Sequence, residues 1–414
     1  MNGGPRPTGP VSSDGPVTYL DHAASTPVRP EALEAMLPWL SGRCGNPSGA
    51  HRLAREARTA LDDAREVVAE ATGVAPGGIV FTSGGTEADN LAVAGTVPGG
   101  ASGASGAVAV CSAVEHHAVL EAVRRAGGRV VAVDASGRVT PDALAAALGD
   151  LAAAGAVVPV VSVMLANNET GVVQPLGDLA AVVREVAPGA VFHSDAVQAM
   201  NWLDVAGLAA PADLVSLSAH KFGGPKGIGA LAVRDGVALV PQIVGGGQER
   251  ERRSGTQNVA GAVGMAAALR SAIDEREREV ERVRALRDRL SAGVLHSVEG
   301  AVDTVSGDGV AGDGVGPAVE RLPNIAHLCL PGVETEALIV LLEQERVMVS
   351  AAASCASGAM EASHVLTAMG VPPDLASGSV RLSLGWCSTP ADVDAVLDVL
   401  PRAVARLRSV PLRG

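Results

Sequence analysis

Residues 214–227 read Leu-Val-Ser-Leu-Ser-Ala-His-Lys-Phe-Gly-Gly-Pro-Lys-Gly, and this stretch indicates both a fold and a reactive group. Residues 214–217 form a short apolar run that is typical of a buried strand. Lys221 follows it, next to a glycine-rich turn. Because burial disfavours a charged amine and lowers its pKa, Lys221 is a candidate nucleophile that could form a Schiff base. An ordinary lysine in a surface loop is the alternative.

Similar apolar runs recur before and after this stretch and alternate with helical patterns between residues 79 and 234. The predicted strands are 79–82, 108–111, 130–133, 157–164, 191–193, 214–217 and 230–233. The predicted helices between them include 87–94, 118–125, 141–148 and 176–186. Apolar strands that alternate with helices predict an α/β fold with a mostly parallel sheet covered on both faces.

The remaining segments differ in composition and pattern from this alternating region. Residues 261–295 form a long helical pattern, and its charged part, 274–289, is predicted to be a solvated face with i,i+4 ion pairs. The glycine-rich stretches 97–107 and 306–317 are predicted to be mobile surface loops, and residues 1–16 a disordered tail.

Composition excludes several classes of protein. The chain has 414 residues, of which 47% are hydrophobic, so wholesale disorder is excluded. A net charge of −13 and an aromatic content of 2% argue against direct nucleic-acid binding. Five cysteines without a CxxC pair suit a reducing compartment. The apolar stretch 151–166 is interrupted by Pro159 and is too short to span a membrane. We therefore expect a soluble cytoplasmic protein without membrane association.

A second motif, Phe-Thr-Ser-Gly-Gly-Thr-Glu-Ala-Asp-Asn at residues 81–90, places a glycine turn between a predicted strand and a helix. The free N–H groups and positive dipole end at such a helix start favour an anion. An ordinary helix cap is the alternative. The motif lacks the GK[ST] sequence of a Walker A loop.

A third motif, His193-Ser194-Asp195, places an acid at the end of a predicted buried strand, where an unpaired carboxylate would be costly. A metal, a basic side chain or a protonated ring nitrogen could be its partner. His193 and Asp195 alone make a poor metal site, and no metal is predicted. The amine, the anion site and the buried acid together suggest pyridoxal 5′-phosphate.

The chain resembles the cysteine desulfurases of the NifS/IscS type, in the class V aminotransferase group. The resemblance extends from about residue 19 to residue 397 and rests on motifs that occur in the family's order. These motifs are YLDHAASTP (19–27), GNPS (45–48), FTSGGTEADN (81–90), EHHAVL (115–120), ANNETG (166–171), HSDAVQ (193–198), SAHKFGGPKG (218–227), RSGTQN (253–258) and RLSLG (381–385).

The resemblance implies a fold and a division of the chain. The fold is that of PLP-dependent transferases of fold type I, with a mostly parallel seven-stranded sheet in a large domain and a smaller α/β C-terminal domain. Residues 30–260 would form the large PLP-binding domain. Residues 17–29 and 261–414 would form the small domain, with the catalytic-cysteine loop near 350–358.

The resemblance also implies which residues hold the cofactor ring. Lys221 would bind it covalently, Asp195 would face the pyridine nitrogen, and Gln198 would lie on the side of the phenolic oxygen. His116 would stack on the ring and act in catalysis. Asn168 would contact the cofactor or the substrate.

The phosphate and the substrate have their own implied set of residues. Gly85, Thr86, Ser218 and His220 would bind the phosphate. Thr256 would reach the phosphate of a neighbouring subunit, which implies a homodimer with shared sites. Arg381 would bind the substrate carboxylate, a bidentate task for which a guanidinium group is well shaped.

A cysteine at residue 355 would be the nucleophile that distinguishes this family. Its thiolate would attack the sulfur of PLP-bound L-cysteine, leaving L-alanine and a persulfide on Cys355. The family usually shows Ser-Ser-Gly-Ser-Ala before this cysteine, whereas this chain has Ser-Ala-Ala-Ala-Ser at 350–354, and Ala362 replaces a proline. Both changes put loop movement and acceptor choice in doubt.

The other four cysteines are interpreted as structural. They are Cys111, Cys329, Cys387 and Cys44, although Cys44 precedes the GNPS motif.

The predicted function is a cysteine desulfurase that passes sulfur to an acceptor protein such as an iron–sulfur scaffold, to tRNA thiolation or to another sulfur pathway. Two alternatives remain open at this stage. One is a related PLP lyase that acts on selenocysteine or cystine, and the other is a non-catalytic PLP-fold scaffold for sulfur-transfer partners.

Overall fold

A computed structural model describes residues 10–97, 106–305, 319–351 and 363–409. Several sequence predictions fall outside these residues. They concern the stretch 306–317, most of the stretch 97–107, the first nine residues of the tail, and Cys355 with the alanines at 352 and 353 and Ala362.

The described chain contains helices and strands throughout its length. The helices are α1 (Pro30–Leu40), α2 (Arg52–Thr72), α3 (Gly85–Thr96), α4 (His117–Arg125), α5 (Pro141–Ala153), α6 (Leu176–Val186), α7 (Val205–Leu208), α8 (Val259–Ser297), α9 (Thr335–Gln344), α10 (His364–Ala368), α11 (Pro373–Ala376) and α12 (Pro390–Ser409). The strands are β1 (Val11–Ser12), β2 (Gly15–Pro16), β3 (Thr18–Tyr19), β4 (Ile79–Thr82), β5 (Val110–Ser112), β6 (Arg129–Val131), β7 (Val160–Ser162), β8 (Val191–Asp195), β9 (Leu214–Ser218), β10 (Gly229–Val233), β11 (Val302–Asp303), β12 (Ile325–Cys329), β13 (Val347–Met348) and β14 (Ser379–Ser383).

A seven-stranded sheet forms the centre of the fold, in the order β4-β10-β9-β8-β7-β5-β6. Strand β10 runs antiparallel to both of its neighbours, and the other pairs are parallel. Every residue of β4, β5, β7, β9 and β10 is buried, as expected for strands covered by helices on both faces. The predicted α/β class with a mostly parallel seven-stranded sheet is confirmed.

The sheet brings three of the sequence motifs to one edge. Strands β8 and β9 pair in parallel, and β4 runs in the same direction because β10 is antiparallel to both β9 and β4. The carboxyl ends of β4, β8 and β9 are Thr82, Asp195 and Ser218. The glycine turn, the buried acid and the lysine turn therefore follow strand ends on the same side of the sheet, where open α/β sheets bind ligands.

The N-terminal segment pairs with strands from the far end of the chain. Strand β3 is parallel to β13, and Asp21 bridges to Ser383 at the end of β14. Strand β14 in turn belongs to a three-stranded sheet in the order β11-β12-β14. The segment that precedes α1 is therefore fixed by C-terminal strands, while the exact boundaries of the two domains stay a prediction.

The described part of the tail differs from the disordered tail that the sequence predicts. Strands β1 and β2 form a small antiparallel hairpin. The Arg346 side chain donates from Nε to the Pro16 carbonyl oxygen at 3.0 Å. These contacts give residues 10–16 a defined place beside the C-terminal part of the chain.

The charged part of α8 also does more than present a solvated face. Glu275 pairs with Arg29 at 2.7 Å, and Arg282 donates to the Ser388 carbonyl oxygen at 2.5 Å. Glu279 and Arg287 are buried. The helix is therefore tied by charged groups to the N-terminal segment and to the loop that follows β14. Its local pairs, such as Glu275–Arg278, are spaced i,i+3 rather than the predicted i,i+4.

The apolar side of α8 provides a test of its role as a core element. Leu290 is fully buried in the main hydrophobic core, whereas Leu295 on the same helix is 39% exposed. We predict that Leu290→Ala lowers the free energy of unfolding by about 2–5 kcal/mol, because it leaves a cavity. Leu295→Ala is the control and should cost less than about 1 kcal/mol. Denaturant titration would measure both, and equal losses would contradict this assignment.

Candidate active site

The Lys221 amine lies at the carboxyl edge of the sheet and contacts the N-terminal segment. Its Nζ atom donates to the carbonyl oxygens of Ala23 at 2.5 Å and Ala24 at 3.0 Å. Gln198 Nε2 donates to the same Ala23 oxygen at 2.8 Å. Lys221 and Gln198, which follow different strands, are therefore brought together by a single backbone carbonyl group.

The surroundings of Lys221 lower the pKa of its amine to about 8. Burial is the largest cause, and the positive charge of Arg381 acts in the same direction. Asp195 and Asp21 oppose the shift. A larger fraction of this amine is therefore unprotonated at neutral pH than for an exposed lysine, which makes it a better nucleophile.

Asp195 ends β8 and is buried. Its Oδ1 atom accepts a hydrogen bond from Val197 N at 2.8 Å. Burial raises the pKa of this carboxyl to about 6, although the Val197 N–H group and the charge of Lys221 lower it. At pH 7 the carboxyl is predominantly ionised, and its charge can stabilise a proton on a nearby ring nitrogen.

The glycine turn after β4 comes close to the end of β9. A Cβ atom at Gly85 would lie 2.8 Å from Val197 Cγ2 and 3.4 Å from the Ser218 Cβ atom, so the space suits glycine. Glu87 lies in the first turn of α3, and its Oε2 atom accepts from Ser83 N at 2.8 Å. This contact fixes the turn at the helix start, where the exposed Thr86 follows Gly85.

Two further residues predicted to bind phosphate lie in different positions. His220 is half-buried next to Lys221, and its Nδ1 atom lies 3.3 Å from Ser25 Oγ. Burial, followed by the charge of Lys221, lowers the pKa of His220 to about 4, so the ring is neutral at pH 7. Thr256 is exposed on the segment that precedes α8, and its predicted contact with a neighbouring subunit stays a prediction.

His116 caps the start of α4. Its Nδ1 atom accepts from Ala118 N at 3.1 Å, so the proton of the neutral ring is on Nε2. Burial and the charge of Lys221 lower the pKa of His116 to about 4. The structure therefore holds His116 as a neutral imidazole with a defined tautomer. The ring is close enough to Lys221 for the lysine charge to lower its pKa.

Arg381 and Asn168 are in direct contact. Arg381 Nη1 donates to the Asn168 carbonyl oxygen at 2.9 Å, and Nη2 donates to Asp21 Oδ1 at 2.8 Å. The Nε atom of Arg381 is buried without a partner among the described residues. Asn167 is buried, and its Nδ2 donates to the Val114 carbonyl oxygen at 2.9 Å, whereas Asn168 is only half-buried.

Close to Asp195 lies a group of buried polar residues, which includes His193, Asp89 and Glu115. These three occur in the sequence motifs, but no role at the site is predicted for them from the sequence. His193 Nδ1 is 2.8 Å from Ser162 Oγ, and its Nε2 atom is 3.7 Å from Asp89 Oδ1. Glu115 Oε1 accepts from Met164 N at 2.7 Å. Burial raises the pKa of Asp89 well above its usual range and that of Glu115 to about 8.

These residues fit pyridoxal 5′-phosphate. The contacts of the Lys221 amine described above are carbonyl oxygens, and no carboxylate among the described residues forms a salt bridge with it. A glycine turn at a helix start can hold a phosphate, and a buried carboxylate can hold a ring proton. Lys221, Asp195, Gln198, His116 and Gly85 are thus suited to bind this cofactor.

Comparison with known proteins supports the same assignment. The family model "Aminotransferase class-V" matches residues 18–396. A protein named cysteine desulfurase IscS from Dictyoglomus turgidum is 41% identical over 95% of this chain and 95% of its own length. The chain belongs to the class V aminotransferase family, among the cysteine desulfurases.

Solved structures of this family share the fold. A NifS-like protein is 33% identical, with a TM-score of 0.81 over 94% of this chain and 100% of its own. A structure of SspA in complex with cysteine is 31% identical, with a TM-score of 0.71 over 88% of this chain and 98% of its own. The resemblance to cysteine desulfurases inferred from the sequence motifs is confirmed.

The cysteines of this desulfurase family member differ in their surroundings. Cys111, Cys329 and Cys387 are buried, and Cys44 is exposed. Burial raises the pKa of the Cys387 thiol to about 11 and also raises the pKa of Cys111 and Cys329. These three thiols are poor nucleophiles at neutral pH.

Two negative observations apply to the described ranges. No helix among the described residues is long and apolar enough to cross a membrane. The same ranges contain no group of three or more His, Cys, Asp or Glu side chains arranged to hold a metal ion.

The buried Glu115 predicts a pH dependence of stability. Its pKa is about 8 in the folded protein and near 4.3 when exposed, so only the unfolded chain releases the proton between these values. Folding stability contributed by this group is therefore present at low pH and lost as the pH rises towards 8. We predict that Glu115→Gln, which cannot ionise, gains thermal stability relative to wild type between pH 5 and pH 8.

The measurement is thermal unfolding of both proteins across this pH range. Glu121→Gln is the matched control, because Glu121 lies on the exposed side of α4. Its difference from wild type should change little with pH. A constant difference between Glu115→Gln and wild type would show that Glu115 is not held protonated.

Proposed function

We propose that this chain is a PLP-dependent cysteine desulfurase that converts L-cysteine to L-alanine and transfers the sulfur through a persulfide on Cys355. The observation that carries the proposal is the half-buried Lys221 amine, with a pKa lowered to about 8, beside the ionisable Asp195 and the Arg381 guanidinium. The similarity to SspA, whose structure contains cysteine, supports cysteine as the substrate.

The residues of this chain have distinct tasks in the proposed reaction. When bound, pyridoxal 5′-phosphate supplies an electron-accepting ring that weakens bonds at the α- and β-carbons of an amino acid. Asp195 holds a proton at the ring nitrogen. Gln198 lies on the side of the phenolic oxygen and helps to orient the ring. Arg381 binds the substrate carboxylate, and the Lys221 amine holds the cofactor and exchanges protons with the substrate.

His116 can position the cofactor ring, and its own imidazole carries a proton on Nε2. Its Nδ1 atom is occupied by Ala118 N, so the Nε2–H group is the one that faces other partners. A ring with a pKa near 4 is neutral at pH 7 and does not repel the positive charges of Lys221 and Arg381. This neutral state supports the proposed stacking role.

Sulfur transfer requires a thiolate, and the cysteine proposed to supply it, Cys355, lies outside the described residues. In the proposed step the Cys355 thiolate attacks the substrate sulfur, an S–S bond forms, and the substrate C–S bond breaks. The electron pair of the broken bond stays with the three-carbon product, which takes up a proton and leaves as L-alanine. The buried positions of Cys111, Cys329 and Cys387 support Cys355 as the nucleophile.

The proposal includes a cytoplasmic homodimer with shared sites and a sulfur-acceptor protein such as an iron–sulfur scaffold. Three leucines at i, i+4 and i+7 on α1, Leu33, Leu37 and Leu40, are 51%, 54% and 62% exposed. An exposed apolar stripe on one helix face supports a subunit interface. Family membership supports the acceptor class, and Thr256 is the residue proposed to reach the neighbouring site.

The first test concerns the amine. Protein loaded with pyridoxal 5′-phosphate and reduced with borohydride should carry the pyridoxyl group on Lys221, as located by peptide mass spectrometry. Lys221→Ala should lose the label and the imine absorbance band of the covalently bound cofactor. Lys226→Ala is the matched control, since Lys226 is exposed in the same glycine-rich turn. Label at Lys226 instead would refute the assignment of Lys221.

The second test concerns the nucleophile. Wild-type protein incubated with L-cysteine and a thiol reductant should release sulfide and L-alanine in equal amounts. Cys355→Ala should lose more than about 100-fold of this activity, because nucleophilic catalysis is removed, while it still binds the cofactor. Cys44→Ala, which removes the exposed thiol among the described residues, should keep wild-type activity. Full activity of Cys355→Ala would show that another group accepts the sulfur.

A further inference from the structure

A strained turn precedes the segment that carries Thr256. Three consecutive residues, Glu249, Arg250 and Glu251, have positive φ angles of 48°, 56° and 66°. Residues with a Cβ atom avoid this left-handed region, and a run of three is more unusual than a single one. Such a backbone persists only when the surrounding contacts hold it in place.

The Glu249 side chain holds the turn through four hydrogen bonds. It is 5% exposed and accepts from Arg65 Nη1 at 2.7 Å and from Arg65 Nη2 at 2.9 Å. It also accepts from Phe81 N at 3.0 Å and from Gln257 Nε2 at 2.6 Å. One carboxylate therefore joins helix α2, strand β4 and the segment that follows the turn.

Arg65 is itself fixed on the side away from the turn. Its Nη1 atom donates to the Ile79 carbonyl oxygen at 2.6 Å, and its guanidinium group lies 4.8 Å from the centre of the Phe81 ring. Burial alone would raise the pKa of Glu249, but the hydrogen bond and charge of Arg65, together with the N–H groups of Gln257 and Phe81, outweigh burial and keep that pKa low. Arg65 and Glu249 thus form a charged, buried, bidentate pair.

A second ion pair links the same segment to the glycine turn. Arg253 Nε donates to Glu87 Oε1 at 2.8 Å. The other oxygen of Glu87 accepts from Ser83 N at 2.8 Å. The segment 249–257 is therefore connected to the glycine turn at two points, through Phe81 on the strand before the turn and through Glu87 on the helix after it.

We infer that Arg65 and Glu249 form a positioning pair for the cofactor phosphate. The pair holds the left-handed turn in place and thereby fixes the segment 253–257 relative to the glycine turn 83–86. This inference rests on the proposed function, since it takes the glycine turn and Thr256 as phosphate ligands. In a homodimer, one pair would set the phosphate site of its own subunit and the reach of Thr256 into the neighbouring one.

The test compares two ligands that differ only in the phosphate. Apoprotein is titrated with pyridoxal 5′-phosphate and with pyridoxal, and the two dissociation constants are measured from absorbance and protein fluorescence. We expect Glu249→Gln and Arg65→Lys to raise the dissociation constant of pyridoxal 5′-phosphate about tenfold, because a buried charged contact is weakened. The dissociation constant of pyridoxal should change less than about twofold, because it lacks the group that the pair positions.

Two controls separate positioning from general destabilisation. Asp398→Asn and Arg402→Lys make similar changes in an exposed ion pair on α12 and should leave both dissociation constants unchanged. The double variant Arg65→Met with Glu249→Gln removes the pair without leaving an unpaired buried charge, so it should fold even if the single variants do not. It should show the same phosphate-selective loss.

The outcomes are distinguishable. Equal losses for pyridoxal and pyridoxal 5′-phosphate, or a lowered melting temperature with unchanged affinity ratio, would overturn the positioning role and leave a purely structural pair. Wild-type protein that binds neither ligand would instead refute the proposed function, on which the inference rests. A selective loss for the phosphate-bearing ligand supports both.

Discussion

The Ala23 carbonyl oxygen accepts hydrogen bonds from both Lys221 and Gln198, and the geometry of the site depends on this contact. The peptide that carries it is held in place by β3 and by the bridge from Asp21 to Ser383, so the C-terminal strands decide where the carbonyl group lies. Lys221 is in turn placed by β9 in the middle of the large sheet. The amine therefore has its position only when distant parts of the chain are folded together, which explains why motifs so far apart in sequence act as one site.

Burial at this edge of the sheet imposes an order on the acidic groups. Asp89, Glu115 and Asp195 are all buried, and burial raises the pKa of each carboxyl. Asp195 alone among these three lies next to the charge of Lys221, and its pKa stays near 6. Since like charges in one low-dielectric region disfavour one another, ionisation of Asp195 is favoured while its two neighbours remain protonated. The negative charge is thereby concentrated where a ring proton would need it.

Much of the fold and of the site could be predicted from the sequence, but some features could not. The strands were predictable because uniform apolar runs with helical spacing between them leave few alternatives, and Lys221, Asp195 and the glycine turn follow strand ends. The role of Ala23 could not be predicted, because a backbone carbonyl leaves no trace in side-chain chemistry. The antiparallel β10 was equally hidden, since direction is not encoded in an apolar run. Arg65 did leave a trace, a charged residue between Leu61 and Val68 on the buried face of α2, but its partner Glu249 is 184 residues away.

The distribution of unfavourable features follows from these constraints. Within the described residues, the buried polar atoms without a partner include Asp89 Oδ1, Glu115 Oε2 and Arg381 Nε, which belong to the site or lie close to it. Others, such as Arg276 Nε and Asn324 Oδ1, lie in other parts of the chain. The left-handed turn at Glu249–Glu251 adds backbone strain at the same edge of the molecule. The apolar interior of the sheet has to stabilise these groups, because each would be more favourable in water or in a relaxed backbone. The features that lie at the site indicate that this edge of the sheet is constrained by ligand binding and chemistry as well as by stability.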